Sequence, residues 1–395
     1  MSQGFAQGRI VATTTDSELT AFGERRVAQL TPIAGWTFAY NLIDELVTKT
    51  LVASGAVSVS AGRCKLESGA ATSSSAKIET RRSLRYMPGI GAMGRFTTVY
   101  ATPAAGNQQT HGFDGAEDGL YFGYNGTTFG VCRKRATAET WVAQSAWNGD
   151  TFSWLNPQFG NVYQITYQWL GYGAIRFWIA DPVSGKFILV HTIRYTNTTV
   201  DVSLLNPNLP IAMKTVNTTN NTNIIMYSPS AMAFQEHRGL GVPDDPLDVS
   251  RSLHTSKDNV KTEAPLMLIR NATMLNSITN RITMRFGQAN FLTDGTKTGH
   301  IRVIRNPTLG GTAPVYTDIL ANQSPAQYDI TLTGVTYSAG TGIEMVHATL
   351  TKVDRFTEDL SQWNCRILPG DTLLVTGMSA SDTDLDISLQ WLCGF

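Results

Sequence analysis

Short runs in which apolar and polar side chains alternate with a period of two extend along most of this chain. Such a run places its apolar side chains on one face of a strand, and the branched and aromatic residues in these runs suit a pleated surface. The clearest runs are Ala56–Ser60 (AVSVS) and residues 95–100 (RFTTVY), 162–169 (VYQITYQW) and 281–286 (RITMRF). Because no helical periodicity lies between them, the pattern predicts an all-β protein built from antiparallel sandwiches rather than from βαβ units.

Turn sequences separate these runs and define at least one complete hairpin. Asn125-Gly126 and Pro369-Gly370-Asp371 are typical turn sequences. Residues 175–193 (IRFWIADPVSGKFILVHTI) consist of two apolar runs around a Pro- and Gly-containing loop. This segment predicts two paired strands.

The sequence divides into four segments, of which two predict sandwiches. Residues 1–34 are polar and mixed and predict an N-terminal arm or anchor, followed by a first sandwich at 35–236. In residues 237–264 the charge density rises, two prolines flank an Asp pair and the apolar periodicity ends, which predicts a polar linker. Residues 265–395 resume the strand pattern and are numerous enough to bury a core of their own.

The charge balance narrows the classes of partner. The chain has 31 Lys+Arg against 31 Asp+Glu, and charged residues make up only 16% of it. Since there is no basic excess to neutralise a phosphate backbone, we expect no nucleic-acid partner. No apolar stretch approaches the ~20 residues that span a bilayer, so we expect no membrane insertion.

The N-terminus and the cysteines indicate synthesis in a reducing cytoplasm. The first residues lack the charged-then-apolar pattern of a secretory signal. Cys64, Cys132, Cys365 and Cys393 are far apart and form no CxxC pair, so we expect free thiols without metal or redox spacing.

One acidic cluster allows two interpretations. Asp114, Glu117 and Asp118 lie in the glycine-rich sequence HGFDGAEDG at 111–119. Carboxylates on such a loop can converge on Ca²⁺, although the EF-hand spacing is not met. A turn ahead of the next strand explains the same residues. Apart from this calcium alternative, the sequence predicts no cofactor.

The sequence shows no catalytic motif, and we expect no enzyme and no catalytic residue. HExxH, GxSxG and P-loop patterns are absent. Glycoside hydrolysis needs two facing carboxylates, and no strand carries an alternating acidic pair of that kind. Asp382, Asp384 and Asp386 do alternate, but their Ser and Thr neighbours favour a solvated strand edge.

Aromatic side chains are the better candidates for binding. Tyr124 adjoins the Asn125-Gly126 turn, and Trp147 and Trp154 lie near Asn/Gly/Asp loops. Exposed rings of this kind stack on sugars or anchor protein interfaces, whereas buried ones fill the space between sheets. Both interpretations remain open here. The apolar C-terminus, from Trp391 to Phe395, predicts a buried last strand or an assembly contact.

Several sequence segments resemble those of virion structural proteins of tailed bacteriophages and other large DNA viruses. They are residues 81–107 (RRSLRYMPGIGAMGRFTTVYATPAAGN), 112–132 (GFDGAEDGLYFGYNGTTFGVC), 169–193 and the closing PGDTLLV and DISLQWL. The resemblance implies a concanavalin-like or jelly-roll sandwich in a tail- or capsid-mounted component. It further implies homo-oligomers, with a trimer favoured, and contacts with other virion proteins.

Three functions are compatible with these observations. The first is a virion structural protein, made in the host cytoplasm and located in the virion. The second is a receptor-binding adhesin that recognises host glycans. The third, from a different class, is a polysaccharide-degrading enzyme on a β-sandwich, which requires a paired-carboxylate cleft.

Overall fold

A computed structural model of the chain describes residues 30–150, 154–236, 247–293, 298–351, 354–379 and 384–395. These residues form strands joined by turns, with one short 3-10 helix at Gln144–Ala146 and no α-helix within the described ranges. The all-β prediction is confirmed. Residues 1–29 of the predicted arm and 237–246 of the predicted linker lie outside the described residues. In the part of the chain that the structure describes, no helix has the length and apolar character needed to cross a membrane.

The N-terminal sandwich consists of two large antiparallel sheets and one small one. The N-terminal six-stranded sheet contains, in spatial order, β1 (Leu30–Thr37), β16 (Ser230–Glu236), β6 (Ala92–Thr98), β11 (Asn161–Tyr167), β12 (Ile175–Ala180) and β13 (Phe187–Ile193). The seven-stranded sheet contains β10 (Ala138–Ala143), β9 (Thr128–Arg135), β8 (Gly119–Asn125), β7 (Asn107–Asp114), β14 (Ile211–Asn217), β5 (Ser75–Thr80) and β2 (Val47–Val52). The small sheet contains β15 (Ile225–Ser228), β4 (Arg63–Glu67) and β3 (Ala56–Ser60).

Aromatic side chains hold the two large sheets together. Phe122 on β8 lies 4.9 Å from the ring of Tyr163 on β11 and 6.3 Å from Phe96 on β6, centroid to centroid. All three are buried. Each such side chain contributes about 1.5–3 kcal/mol when it leaves water. Strand alternation therefore places these three aromatic side chains in one interior layer.

The C-terminal sandwich has the same two-layer plan. Its five-stranded sheet contains β17 (Asp248–Lys257), β31 (Leu385–Gly394), β21 (Thr283–Thr293) and β28 (Asp354–Asp359), with β29 (Arg366–Ile367) also paired to β21. Its six-stranded sheet contains β24 (Thr317–Asp318), β25 (Ala326–Asp329), β18 (Ala264–Asn271), β30 (Thr372–Ser379), β22 (Gly299–Arg305) and β27 (Ile343–Leu350). Two small hairpins add β19 (Met274–Leu275) with β20 (Ile278–Thr279), and β23 (Leu309–Gly311) with β26 (Val335–Tyr337).

Part of the predicted linker is a strand. β17 pairs antiparallel with β31 over its whole length, from Asp248 opposite Gly394 to Lys257 opposite Leu385. β17 is the edge of its sheet, and most of its side chains are polar, with only that of Thr255 buried. An edge strand of this kind lacks the apolar alternation on which the linker interpretation depended. The predicted domain boundaries otherwise stay predictions.

The apolar C-terminus belongs to the core of its own chain. Trp391 is buried and packs against Phe286 at 5.7 Å between ring centroids. Phe395 is partly buried, and its carbonyl oxygen accepts a hydrogen bond of 2.7 Å from Nε of Arg85 in the N-terminal sandwich. Of the two predicted roles for Trp391 and Phe395, the buried last strand is present. The assembly contact stays a prediction.

Candidate functional site

The candidate site is a pocket of about 580 Å³ at one end of the seven-stranded sheet. It lies where the β8–β9 turn meets the segment that follows β10. Its lining residues are Thr127, Thr128, Phe129, Ala143, Gln144, Ser145, Trp147 and Asp150. We refer to it below as the Trp147 pocket.

Local chain geometry brings these two segments together. Asn125 pairs with Thr128 across a two-residue turn in which Gly126 has φ +62°. Primed hairpin turns need this left-handed conformation, and glycine adopts it without a steric cost. β10 then runs back along β9 until Ala143 lies opposite Gly130, and the 3-10 helix turns the chain toward the β8–β9 turn. The pocket therefore depends on the pairing of β9 with β10.

Trp147 is held firmly although part of its surface remains exposed. Its indole Nε1 donates a 3.2 Å hydrogen bond to the carbonyl of Val142. Its ring meets the edges of Phe122 and Phe129, each at 6.1 Å between centroids. The side chain is half-buried, and its exposed part lines the pocket. A ring fixed in this way offers an apolar surface at little cost in conformational entropy.

Five polar side chains surround this ring. Thr127, Thr128, Ser145 and Asp150 are exposed and Gln144 is half-buried. None of the five side chains forms a hydrogen bond or ion pair with a residue in the described ranges. As far as the described residues are concerned, these hydroxyl, amide and carboxylate groups are available to bond a ligand that lies against Trp147.

The other two aromatic candidates lie elsewhere. Trp154 is 36% exposed but is not part of the pocket wall. Tyr124 is 6% exposed and packs edge-on against Tyr100 and Phe129 in the core. The reason is the alternation of β8, which points Leu120, Phe122 and Tyr124 to the interior. For Tyr124 the buried interpretation is therefore the correct one.

Sequence reasoning did not identify the polar members of the Trp147 pocket. Thr127, Thr128, Gln144, Ser145 and Asp150 come from two segments separated by β9 and β10. For Thr127 and Thr128, the Asn125-Gly126 turn was the sequence feature that could have indicated them. Nothing in the local sequence indicates that residues 144–150 fold back onto that turn.

The three carboxylates of the predicted calcium cluster have separate protein partners. Asp118 accepts hydrogen bonds from the backbone N–H groups of Leu205 (3.1 Å) and Asn206 (3.0 Å). Glu117 accepts one from the hydroxyl of Thr279. Asp114 is buried against lysines. No group of three metal-ligating side chains was found among the described residues, so the cluster does not form the predicted site there.

Asp114 is the centre of an ion-pair network on the outer face of the seven-stranded sheet. The ammonium of Lys134 bonds its carboxylate, and those of Lys77 and Lys214 lie 3.8 and 4.0 Å from it. Burial raises the pKa of Asp114, but the charges of Lys77, Lys214 and Lys134 outweigh burial and hold the pKa below its usual value. A general acid needs a raised pKa. Asp114 is therefore suited to ion pairing and not to proton donation.

The four cysteines are free thiols, as predicted, and all are buried. Burial raises the pKa of Cys64, Cys132 and Cys365 to about 12. A thiol with such a pKa is a poor nucleophile and a poor metal ligand at neutral pH. These cysteines act as small core residues.

Comparisons with known proteins found similar solved structures but no matching family. No protein-family model matches the sequence, and no curated protein matches it. Among solved structures, a glycosyl hydrolase family protein from Mycobacterium fortuitum is similar, with TM-score 0.37, 9% identity, and coverage of 51% of this chain and 99% of that chain. Arcelin-5, a lectin-like defense protein from Phaseolus vulgaris, has TM-score 0.33, 11% identity, and coverage of 53% and 100%. A GH16 protein of Bacteroides ovatus in complex with its G4G4G3G product has TM-score 0.34, 11% identity, and coverage of 50% and 98%.

These findings correct one expectation and leave another untested. Glycosyl hydrolases are among these similar structures, and this finding contradicts the expectation that the chain is not an enzyme. At this identity and TM-score the likeness assigns the chain neither an activity nor a substrate. The same structures give no support to a virion role, which stays a prediction, as do the expected trimer and virion partners.

Proposed function

We propose that this chain is a carbohydrate-binding protein and that a glycan binds in the Trp147 pocket. The observation that carries the proposal is a fixed, half-buried indole with five polar side chains around it that have no partner among the described residues. A sugar ring has an apolar face of C–H groups and a rim of hydroxyls. The indole complements the face, and the polar side chains complement the rim.

The composition of the wall favours neutral sugars. The described side chains that line the pocket include one carboxylate, Asp150, and neither lysine nor arginine. An acidic sugar would meet a like charge there without a basic partner, which costs binding free energy. The volume of about 580 Å³ lies within the usual range of small-ligand pockets. We therefore infer a segment of a neutral polysaccharide as the ligand class.

Glycan binding is compatible with all three functions derived from the sequence. An adhesin needs a glycan pocket, and a polysaccharide-degrading enzyme needs one next to its reacting groups. A virion component that attaches to a host surface would use the pocket in the same way. The three roles share this binding step and differ in the fate of the bound glycan.

Replacing Trp147 with Ala is expected to weaken glycan binding at least tenfold, since a central aromatic contact is worth at least about 1.4 kcal/mol. Isothermal titration against a panel of neutral oligosaccharides measures this. Because Trp147 also packs on the core, Asp150→Ala and Gln144→Ala test the pocket at side chains that form no hydrogen bond or ion pair with a described residue. Trp363→Ala is the matched control, since Trp363 is an exposed tryptophan of the C-terminal sandwich.

Two results would contradict the proposal. The first is the absence of binding to any glycan in the panel by the intact chain. The second is unchanged affinity in all three pocket variants. Release of reducing ends from the same panel, measured in parallel, separates binding alone from binding followed by hydrolysis.

A further inference from the structure

We propose a second, chemically different site: a cavity between the two sandwiches that binds the oxyanion group of a small ligand, a carboxylate, sulfate or phosphate. The cavity has a volume of about 300 Å³. Its polar lining comes from both sandwiches, with Glu45, Thr80 and Arg82 on one side and Arg305, Asn364 and Arg366 on the other. We call it the arginine cavity. It is independent of the proposed glycan site.

The arginine on the N-terminal side belongs to a basic segment that docks onto the C-terminal sandwich. Arg81 pairs with the carboxylate of Asp371, and Arg85 pairs with Asp248 at 2.9 Å. Arg82, between them, lines the cavity instead. Its guanidinium makes no hydrogen bond or ion pair with any residue in the described ranges. Of these three arginines, the docking leaves Arg82 alone without a carboxylate partner.

The C-terminal side contributes two more guanidinium groups with unused hydrogen-bonding capacity. Arg366, on β29, also has no side-chain hydrogen bond or ion pair within the described part of the chain. Arg305 bonds the carboxylate of Glu45 at 3.1 Å, but its Nε is buried and finds no described partner. Asn364 adds an amide whose side chain is likewise not hydrogen-bonded to a described residue.

The charges in the cavity do not balance. Three guanidinium groups face one carboxylate, Glu45, which is itself largely exposed. Burial, and then the neighbouring charges of Arg366 and Arg285, lower the pKa of Arg82 to about 10. Burial and Arg285 also lower the pKa of Arg366. A partly buried cation without a counter-ion is costly, so an anion in the cavity relieves both desolvation and repulsion.

The donor geometry indicates the chemical class of the ligand. Arginine presents a planar fork of N–H groups that matches the oxygens of carboxylate, sulfate and phosphate. The rest of the wall is apolar and includes Ile33, Leu46 and Leu368. An organic molecule with one oxyanion group fits such a wall better than a bare inorganic ion, because the apolar surface is covered by carbon.

The proposal is tested by titrating the whole chain with sodium glucuronate, phosphate and sulfate at constant ionic strength. Glucose, the uncharged counterpart of glucuronate, is titrated in the same way as a control. We expect saturable binding of at least one anion and none of glucose in this cavity. Arg366→Gln and Arg82→Gln are each expected to weaken it at least tenfold. Arg355→Gln is the matched control, because Arg355 is exposed on another strand of the same sheet as β29.

Comparing the three anions shows whether the oxyanion belongs to an organic molecule or to an inorganic ion. Tighter binding of glucuronate than of phosphate and sulfate supports an organic anion, and the reverse order supports an inorganic one. Arg366→Lys keeps the charge but removes the fork, and we expect it to bind more weakly than the intact chain.

The melting temperature of each variant, measured without anion, is the control for correct folding. We expect Arg366→Gln to match or exceed the intact chain, because it removes an unpaired charge. The proposal is overturned if no anion binds saturably, or if the two arginine variants bind as tightly as the intact chain. A melting temperature several degrees lower in Arg366→Gln, with anion affinity unchanged, would also overturn it. Glycan binding by the Trp147 pocket is unaffected by either outcome.

Discussion

Replacing Asp114 with Asn is expected to lower the free energy of unfolding at pH 7 by about 3–5 kcal/mol, the usual cost of removing one partner from a buried ion pair. Asp114 is only 2% exposed. Its carboxylate bonds the ammonium of Lys134, which also donates to the carbonyl of Gly115 at 2.8 Å. In the variant, this ammonium loses its counter-ion, and its side chain is only 10% exposed to water.

The other lysines add to the loss. Lys77 and Lys214 lie within ion-pair distance of the same carboxylate. Lys77 keeps a second partner in Glu79 at 2.7 Å, so the network does not vanish entirely. The ion pairs that Lys134 and Lys214 form with described residues are both with Asp114, so these two ammonium groups lose that partner. The neutral amide of Asn fills the same space, and the variant therefore isolates charge from packing.

Equilibrium unfolding in urea measures the effect, with Asp258→Asn as the control because Asp258 is exposed and lies away from this network. The control is expected to change the free energy of unfolding by less than about 0.5 kcal/mol.

The pKa of Asp114 is lowered on folding. Its contribution to stability is therefore present above the unfolded pKa near 3.9 and is lost as pH falls through the lower folded value. A loss below about 1 kcal/mol at pH 7 would show that the network is dispensable.

His111→Phe is expected to remove a large part of the acid sensitivity of the protein. Between pH 6.5 and 4.5, the free energy of unfolding of the intact chain should fall more than that of the variant, with a difference in slope that approaches about 1.4 kcal/mol per pH unit below pH 5.5. The total difference is about 2 kcal/mol over this range.

The cause is a histidine buried in an aromatic cluster. His111 is fully buried, with its ring 4.3 Å from Phe96 and 5.8 Å from Trp36 between centroids. Its Nδ1 lies 2.6 Å from the hydroxyl of Thr98, and its Nε2 has no partner among the described residues. Burial lowers the pKa of His111 to about 3.

The sign of the effect is set by the lowered pKa. Below the unfolded value of about 6.5 the unfolded chain binds a proton that the folded chain does not bind until about pH 3. Acid therefore favours unfolding over this interval. Only slopes with pH are compared, because the variant also leaves Thr98 without its ring partner. Phe96→Leu, a substitution in the same aromatic cluster that changes no titratable group, should keep the intact slope. Equal slopes in His111→Phe and the intact chain would refute this account.

Much of the fold followed from local pattern. The predicted hairpin at 175–193 is present as β12 and β13, paired from Ile175 opposite Ile193 to Ala180 opposite Phe187. The prediction succeeded there because two apolar runs flank a Pro- and Gly-containing loop, and β12 alternates between buried and less buried side chains. β17 was missed for the opposite reason, since an edge strand is stabilised by backbone hydrogen bonds and needs few apolar side chains.

The candidate site was only partly predictable. Trp147 was singled out because it lies near turn residues, and it does line the pocket. Tyr124 has equally favourable neighbours but points to the core, since its position in β8 decides which face it takes. The polar partners of Trp147 depend on how β10 returns along β9, and no local signal encodes that return.

Composition and periodicity by themselves determined the all-β class, the antiparallel sandwiches and the free cysteines. These properties depend on neighbours along the chain, where strand period and turn residues act directly. Only the tertiary structure decided which polar and charged side chains are buried next to one another. It paired Asp114 with three lysines, left His111 beside Trp36, and gave Arg81 a carboxylate while leaving Arg82 in a cavity. Burial and charge pairing are set by contacts between distant segments, and these contacts turn a β-sandwich into specific sites.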